Sequence, residues 1–462
     1  MKLRFNKVET IKQITRIGSI AVCTFVASIS NAAVTEEQAA QLGQSLTPVG
    51  AEKASNTEKT IPAWSGGLTT PPAGYQKGDH PIDPFENEKP VAVITAKNID
   101  QYRNKLSPGQ LAMFDAYPES YAMHIYPSHR TAAMPESVYD AAKYNATHTT
   151  LIDDGNGLQD FKGYIPFPIP GNGLEVIWNH IARYRGKSSQ RDMVQIITQR
   201  NGSYYAVAMN EEVVYPENMN GLGEKAEEML VFFKQKITAP ARLTGNVLLV
   251  HDSINQVKDP RKAWIYNAGQ RRVRRAPQVA YDGPGTSSDS LRTSDNFDMY
   301  NGAPDRYNWK LLGKQELYIP YNSYKLASTE VKYDDIVRPG HMNPEYLRYE
   351  LHRVWKVEAT LKDGSRNIYS KRTFYIDEDS WQAAVVDHYD SRGNMWRVSE
   401  AYAMQMYYAD VPFTAAQGYY DLTNNRYLVI GLQNEERVPV QFDHVASYTD
   451  FTPAAIRRSG KR

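Results

Sequence analysis

From about residue 192 onward, apolar and polar positions alternate in one run after another. Residues 193–199, 204–210 and 229–237 come first. Leu243, Val247 and Leu249 then share a face, with Gly245 between them, while Arg242, Thr244 and Asn246 take the other. A period of two marks a strand with one buried face. Trp264 and Tyr266 share a face of a short hairpin that turns at Asn267-Ala268-Gly269 and returns through Arg271, Val273 and Arg275. Residues 309–312 and 316–319 follow. Leu351, Trp355, Val357, Ala359 and Leu361 alternate with Glu350, His352, Lys356 and Glu358, and Asp363-Gly364 turns the chain into residues 367–376. Two more hairpins pair 381–389 with 395–407 and 419–423 with 426–431. At least nine hairpin-linked strands predict a large antiparallel sheet.

The helical period lies before the sheet. Leu174, Ile177, Trp178 and Ile181 follow i, i+3, i+4, i+7 and predict a helix over 174–184. Residues 95–117 read as two helices, the second opened by Ser107-Pro108, and residues 135–147 as a third. Thr35 caps a short helix to about residue 42. Between them, residues 47–90 are rich in Pro and Gly, and Trp64 within that stretch predicts a segment wrapped over a surface. Helices that precede a sheet and pack on it define the α+β class.

Composition changes the picture at the N-terminus. Lys2, Arg4, Lys7, Lys12 and Arg16 precede an apolar run over 17–29, and Ser30-Asn31-Ala32 supplies small residues for cleavage. This predicts a secretory signal peptide over 1–32, too short to span a bilayer. Its removal takes five of the 53 basic and one of the 52 acidic residues and turns a net charge of +1 into −3. No basic excess is left for nucleic acid. Cys23, the one cysteine, leaves with the leader, so no disulfide or thiolate metal site is expected. A large exported chain without disulfides fits the periplasm of a Gram-negative bacterium.

Chemical motifs are sparse. No nucleophile elbow, zinc-protease motif, phosphate loop or dinucleotide fingerprint is present, which predicts no enzyme and no cofactor. The ten histidines are scattered and no metal site is expected; His251-Asp252 and Asp387-His388 are adjacent, so on a strand each pair points to opposite faces. Asp377-Glu378-Asp379 reads as a solvated turn. Arg271, Arg272, Arg274 and Arg275 form the densest charged motif. Arg272 and Arg274, on one face, are candidates for holding an anion or headgroup. The preferred reading is a structural cluster paired with Asp295, Asp298 or Asp305.

The motifs PARLTGNVLLV, WIYNAGQRRVRR, TSDNFDM, TIPAWSGG, YPSHRTA, RPGHMNPEYLRYELHRVWKVEATLK and KRTFYIDEDSWQ resemble a large bacterial family of unknown function, often described as outer-membrane lipoprotein-sorting-like. The resemblance runs from Leu46 to about Asn434 and extends to the LolA and LolB carriers. It implies a sheet curved into an incomplete half-barrel, apolar inside, with helices on its concave face. The expected organisation is a wrapping segment over 33–90, the half-barrel over 91–445 and a basic tail over 446–462, frayed from Ala455. Cavity candidates are Trp264, Tyr266, Leu351, Trp355, Val357 and Phe374. The expected function is a soluble periplasmic carrier of a lipid, acyl chain or other hydrophobic molecule, working with an outer-membrane protein and an inner-membrane exporter. The alternative is an accessory or scaffold subunit of an envelope transport complex without cargo.

Overall fold

A computed structural model describes residues 34–460; the leader read over 1–32 lies outside them. One sheet contains sixteen strands. Two short strands open it, β1 (Ala92–Ile94) and β2 (Met123–Tyr126). A first meander follows: β3 (Ser188–Thr198), β4 (Tyr204–Val214), β5 (Met229–Ala239), β6 (Val247–Ser253), β7 (Lys262–Asn267) and β8 (Arg272–Arg275). A second comprises β9 (Tyr307–Pro320), β10 (Tyr349–Leu361), β11 (Lys371–Asp377), β12 (Ala383–Tyr389), β13 (Met395–Met406), β14 (Val411–Asp421) and β15 (Arg426–Leu432). The last, β16 (Gln441–Phe442), pairs with the start of β3.

The two meanders join where β15 pairs antiparallel with β3, Val429 opposite Ile196. β2 enters parallel to β10, so the sheet is mixed rather than wholly antiparallel. The path runs from β1 to β8 without those ends pairing, which makes the sheet an incomplete barrel. Residues 276–306 link β8 to β9 and thereby cross one face of the sheet.

That crossing distinguishes the two faces. Asn296 of the loop donates to Ser399 on β13, while the preceding residue, Val398, lies under helix α1 (Pro108–Ala116). Successive strand residues point to opposite faces, so the loop and α1 cover different sides. Ser107 caps α1 reciprocally with Gln110, and Pro108 takes the first helical position. Helix α2 (Glu136–His148) follows. Helix α3 (Gly173–Ile181) is capped by Asn172 and buries Val176, Ile177, Trp178 and Ile181. Burying each of these side chains stabilises by about 1.5–3 kcal/mol. Gly173 sits against the backbone of Lys310 and Leu311 on β9, an approach that leaves no room for a side chain.

Several expectations are corrected. The strand expected from Leu243 begins at Val247: residues 240–246 form a turn, with Gly245 at φ +86° and pressed against the carbonyl of Gly460. Residues 99–105 form two 3-10 turns, not an α-helix. The tail is not frayed. Helix α4 (Pro453–Ser459) packs on β6, β7 and β8, and Phe451 and Ile456 are fully buried against Phe232, Leu249 and Tyr266. Asp377, Glu378 and Asp379 are not solvated but buried. The N-terminal segment lies along the fold: Trp381 Nε1 donates to Val49 O, Trp64 Nε1 to Ala132 O, and Arg353 to Ala54 O.

Candidate functional site

A cavity of about 60 Å³ opens between the crossing loop and strands β4, β5 and β6. Its floor is set by strand register. Val213, Phe233 and Val250 lie opposite one another across β4, β5 and β6, and Glu211, Gln235 and Leu248 form the next rung. All six therefore face the loop. Val279 and Phe297 close the apolar wall from above, Phe297 meeting Phe233 edge-on at 5.2 Å between ring centres.

The cavity does not stand alone. A second of about 40 Å³ shares Arg185, Val213 and Phe297 with it. A third of about 10 Å³ shares Arg183, Gln382, Pro412 and Phe413 with the second. The row therefore runs along the loop-covered face.

Buried arginines anchor the loop and line this row. Arg183 donates to Asp298 at 2.5 Å, and Arg185 pairs with the other oxygen of the same carboxylate. Burial alone would raise the pKa of Asp298, but the two guanidinium groups hold it down to about 2. Arg261 makes two bonds to Asp252, of 2.5 and 2.8 Å. Arg191 pairs with Glu211 at 2.7 Å. Arg372, fully buried on β11, reaches Asp295 of the loop at 2.5 Å. Arg292, on the loop itself, lines the first cavity and has no carboxylate within 4.0 Å among the described residues.

The proposed site residues fall into different places. Trp264 and Tyr266 are on the far face of the sheet, in a cluster under α4 with Phe232, Val247 and Leu249. Val357 and Phe374 lie on the loop side in the main core, Phe374 packed edge-on against Tyr300 of the loop. Trp355 stacks on Trp381 with Lys314 over its ring. Leu351 is buried nearer the start of β10. None of these six lines the cavity under the crossing loop. Arg271, Arg272, Arg274 and Arg275 are exposed, and among the described residues none forms an ion pair. Asp295 and Asp298, expected as their partners, belong to Arg372 and to Arg183 with Arg185. Register explains this: β8 is the open edge of the sheet, and the hairpin points its arginines into water.

A second polar centre lies on the opposite meander. Arg130 donates twice to Asp379, at 2.8 and 2.7 Å, and Glu378 accepts from Arg353 at 3.0 Å and Lys314 at 2.8 Å. Burial, then the charge of Asp379, raises the pKa of Asp377 to about 6. His352, Asp377 and Asp379 each bring a ligand atom within 4.8 Å of the others, a spacing that could hold a cation. Both Asp379 oxygens already accept from Arg130, and His352 Nε2 is 3.2 Å from Glu350, so the residues are arranged first as an ion-pair network.

An open, sixteen-stranded half-barrel with an apolar cavity under a crossing loop is the class of protein these observations define. The chain belongs to the family described as "Protein of unknown function (DUF1329)", whose model matches residues 93–457. An uncharacterised protein of Pseudomonas aeruginosa is 55% identical over 455 residues, covering 98% of this chain and 100% of its own. Among solved structures, a DUF1329 family protein from Desulfovibrio piger aligns at TM-score 0.42 with 14% identity, over 59% of this chain and 92% of that one. A putative outer membrane lipoprotein-sorting protein domain from Vibrio parahaemolyticus aligns at 0.43 with 16% identity, over 62% and 98%. A LolA superfamily protein from Nitrosomonas europaea aligns at 0.36 with 12% identity, over 61% and 98%.

Proposed function

We propose that this protein is a periplasmic carrier that takes a hydrophobic molecule, such as a lipid or acyl chain, into the cavity between the crossing loop and β4–β6. The observation that carries the reading is the apolar wall of Val213, Val231, Phe233, Leu248, Val250, Val279 and Phe297 around the cavity under the loop. Each methylene withdrawn from water there contributes about 0.8 kcal/mol. The leader read at the N-terminus supports export. Among the described residues no helix is long and apolar enough to cross a membrane. Loading and release would then involve an inner-membrane exporter and an outer-membrane protein as partners.

Native mass spectrometry of protein isolated from periplasm tests this. A co-purifying hydrophobic molecule, released by organic solvent and lost from a Val250→Trp variant that fills the cavity, is the expected result. A clean apo mass, unchanged after incubation with envelope lipid vesicles, would remove the carrier reading.

One observation favours the accessory-subunit reading. The β7–β8 hairpin presents four exposed arginines on the open edge of the sheet. Charged side chains on an edge also keep strands from pairing with other chains. Capture of an acidic envelope partner, lost on changing all four arginines to serine, would favour that reading over the carrier.

A further inference from the structure

We infer that the cargo has an anionic head, a carboxylate or phosphate monoester, and that Arg292 holds it in the cavity under the crossing loop while the tail lies along the apolar rungs. This rests on the carrier reading above and narrows it to a class of amphiphile. Arg292 is only 3% exposed. Its Nη1 donates to Thr293 O at 3.1 Å, its Nε has no hydrogen-bond partner, and among the described residues no carboxylate lies within 4.0 Å of it. The other cations lining the cavity have their acids: Arg185 has Asp298 and Arg261 has Asp252. The remaining nearby acids, Glu211 and Asp295, are taken by Arg191 and Arg372. Arg292 is thus the one cation lining the cavity with no acid against it among the described residues.

The placement of that charge is built rather than incidental. The guanidinium lies 5.2 Å from the ring of Phe297 and 6.0 Å from that of Tyr419. Gly285 lies so close that a Cβ there would come within 2.8 Å of the guanidinium carbon, so a larger residue would displace it. Burial pulls the Arg292 pKa below its ordinary value, yet a guanidinium stays charged at neutral pH. A buried, unpaired ion is disfavoured by several kcal/mol. A carboxylate or phosphate answers the guanidinium fork with up to two charge-assisted bonds. The adjoining valine, leucine and phenylalanine side chains suit an alkyl tail and give a free inorganic anion nothing.

The test compares ligands of one tail on delipidated protein: dodecanoate, dodecyl phosphate and dodecanol by calorimetry, with inorganic phosphate as competitor. Dodecanoate or dodecyl phosphate should bind on the order of tenfold tighter than dodecanol. Inorganic phosphate at equal concentration should not displace them. In Arg292→Gln the gap should close to within about twofold, with dodecanol affinity unchanged, and Arg292→Lys should keep part of the preference. Should Arg292→Gln not fold by circular dichroism, the wild-type ligand comparison and Arg292→Lys still decide. Equal binding of dodecanol and dodecanoate, or a preference untouched by Arg292→Gln, overturns the anionic head and leaves the carrier reading standing. Displacement by inorganic phosphate overturns the head-and-tail assignment in favour of a free anion. No binding by any of the amphiphiles overturns both readings.

Discussion

Asp387 shows how a single buried side chain sets a pH response. It lies on β12 with no exposed area, and its Oδ1 accepts from Ser107 Oγ at 2.9 Å and from the Gly109 amide at 3.1 Å, at the start of α1. Burial raises its pKa from 3.8 to about 7, the hydrogen bonds opposing that rise only in part. A carboxyl with a raised folded-state pKa binds more protons folded than unfolded. Stability from this group is therefore greatest below pH 3.8 and falls as pH rises toward about 7. Asp387→Asn keeps an acceptor for the Ser107 and Gly109 donors and cannot ionise. The variant should gain in unfolding free energy relative to wild type between pH 5 and pH 8, by on the order of a few kcal/mol in denaturant unfolding. An unchanged difference across that range would remove Asp387 as the cause. Sequence alone placed Asp387 and His388 on opposite faces, as the structure has them: Asp387 meets α1 while His388 bonds Ser399 on the loop side. It could not show that the acid is buried, because that depends on a helix 278 residues away in sequence.

At the level of elements, most strands and four helices were legible, three of the helices from their apolar period or opening residues and the short Glu36–Ala39 helix from its Thr35 cap. The larger failures occur where partners are distant in sequence. The 446–462 segment reads as a basic tail because Arg457, Arg458 and Lys461 dominate it; only the fold reveals that Phe451 and Ile456 complete the cluster around Tyr266. Truncation after Ala446 should therefore expose Phe232, Leu249 and Tyr266 and give an unstable, aggregating protein. The milder Ile456→Ala should cost about 2–5 kcal/mol by denaturant unfolding. A truncated protein of wild-type stability would show α4 to be dispensable. The cavity was missed for the same reason. Its floor, Val213, Phe233 and Val250, lies in recognised strands, but its roof is an aperiodic loop, and a sheet face shows its lining only once something covers it. Trp264 and Tyr266 drew attention as large rings in the hairpin and turned out to be the packing surface for α4.

Across the whole molecule, two meanders share one sheet through the β3–β15 pairing, where Ile196 and Val429 are both fully buried. The described residues, 34–460, form one compact unit. Denaturant unfolding should accordingly be a single transition when followed by far-ultraviolet dichroism and by tryptophan fluorescence, since Trp264 reports on one meander and Trp355 and Trp381 on the other. Two separated transitions would mean that the halves fold independently. The crossing loop ties those halves a second time. Asp295 is held by Arg372, Asp298 by Arg183 and Arg185, Ser290 O by Arg397, and Ser287 O by Gln195. A roof fastened at four places on both meanders has no free end to swing. Whatever occupies the space beneath it would exchange on the timescale of local unfolding rather than of diffusion, so residence time, more than affinity, would decide how far a loaded molecule travels before it is empty again.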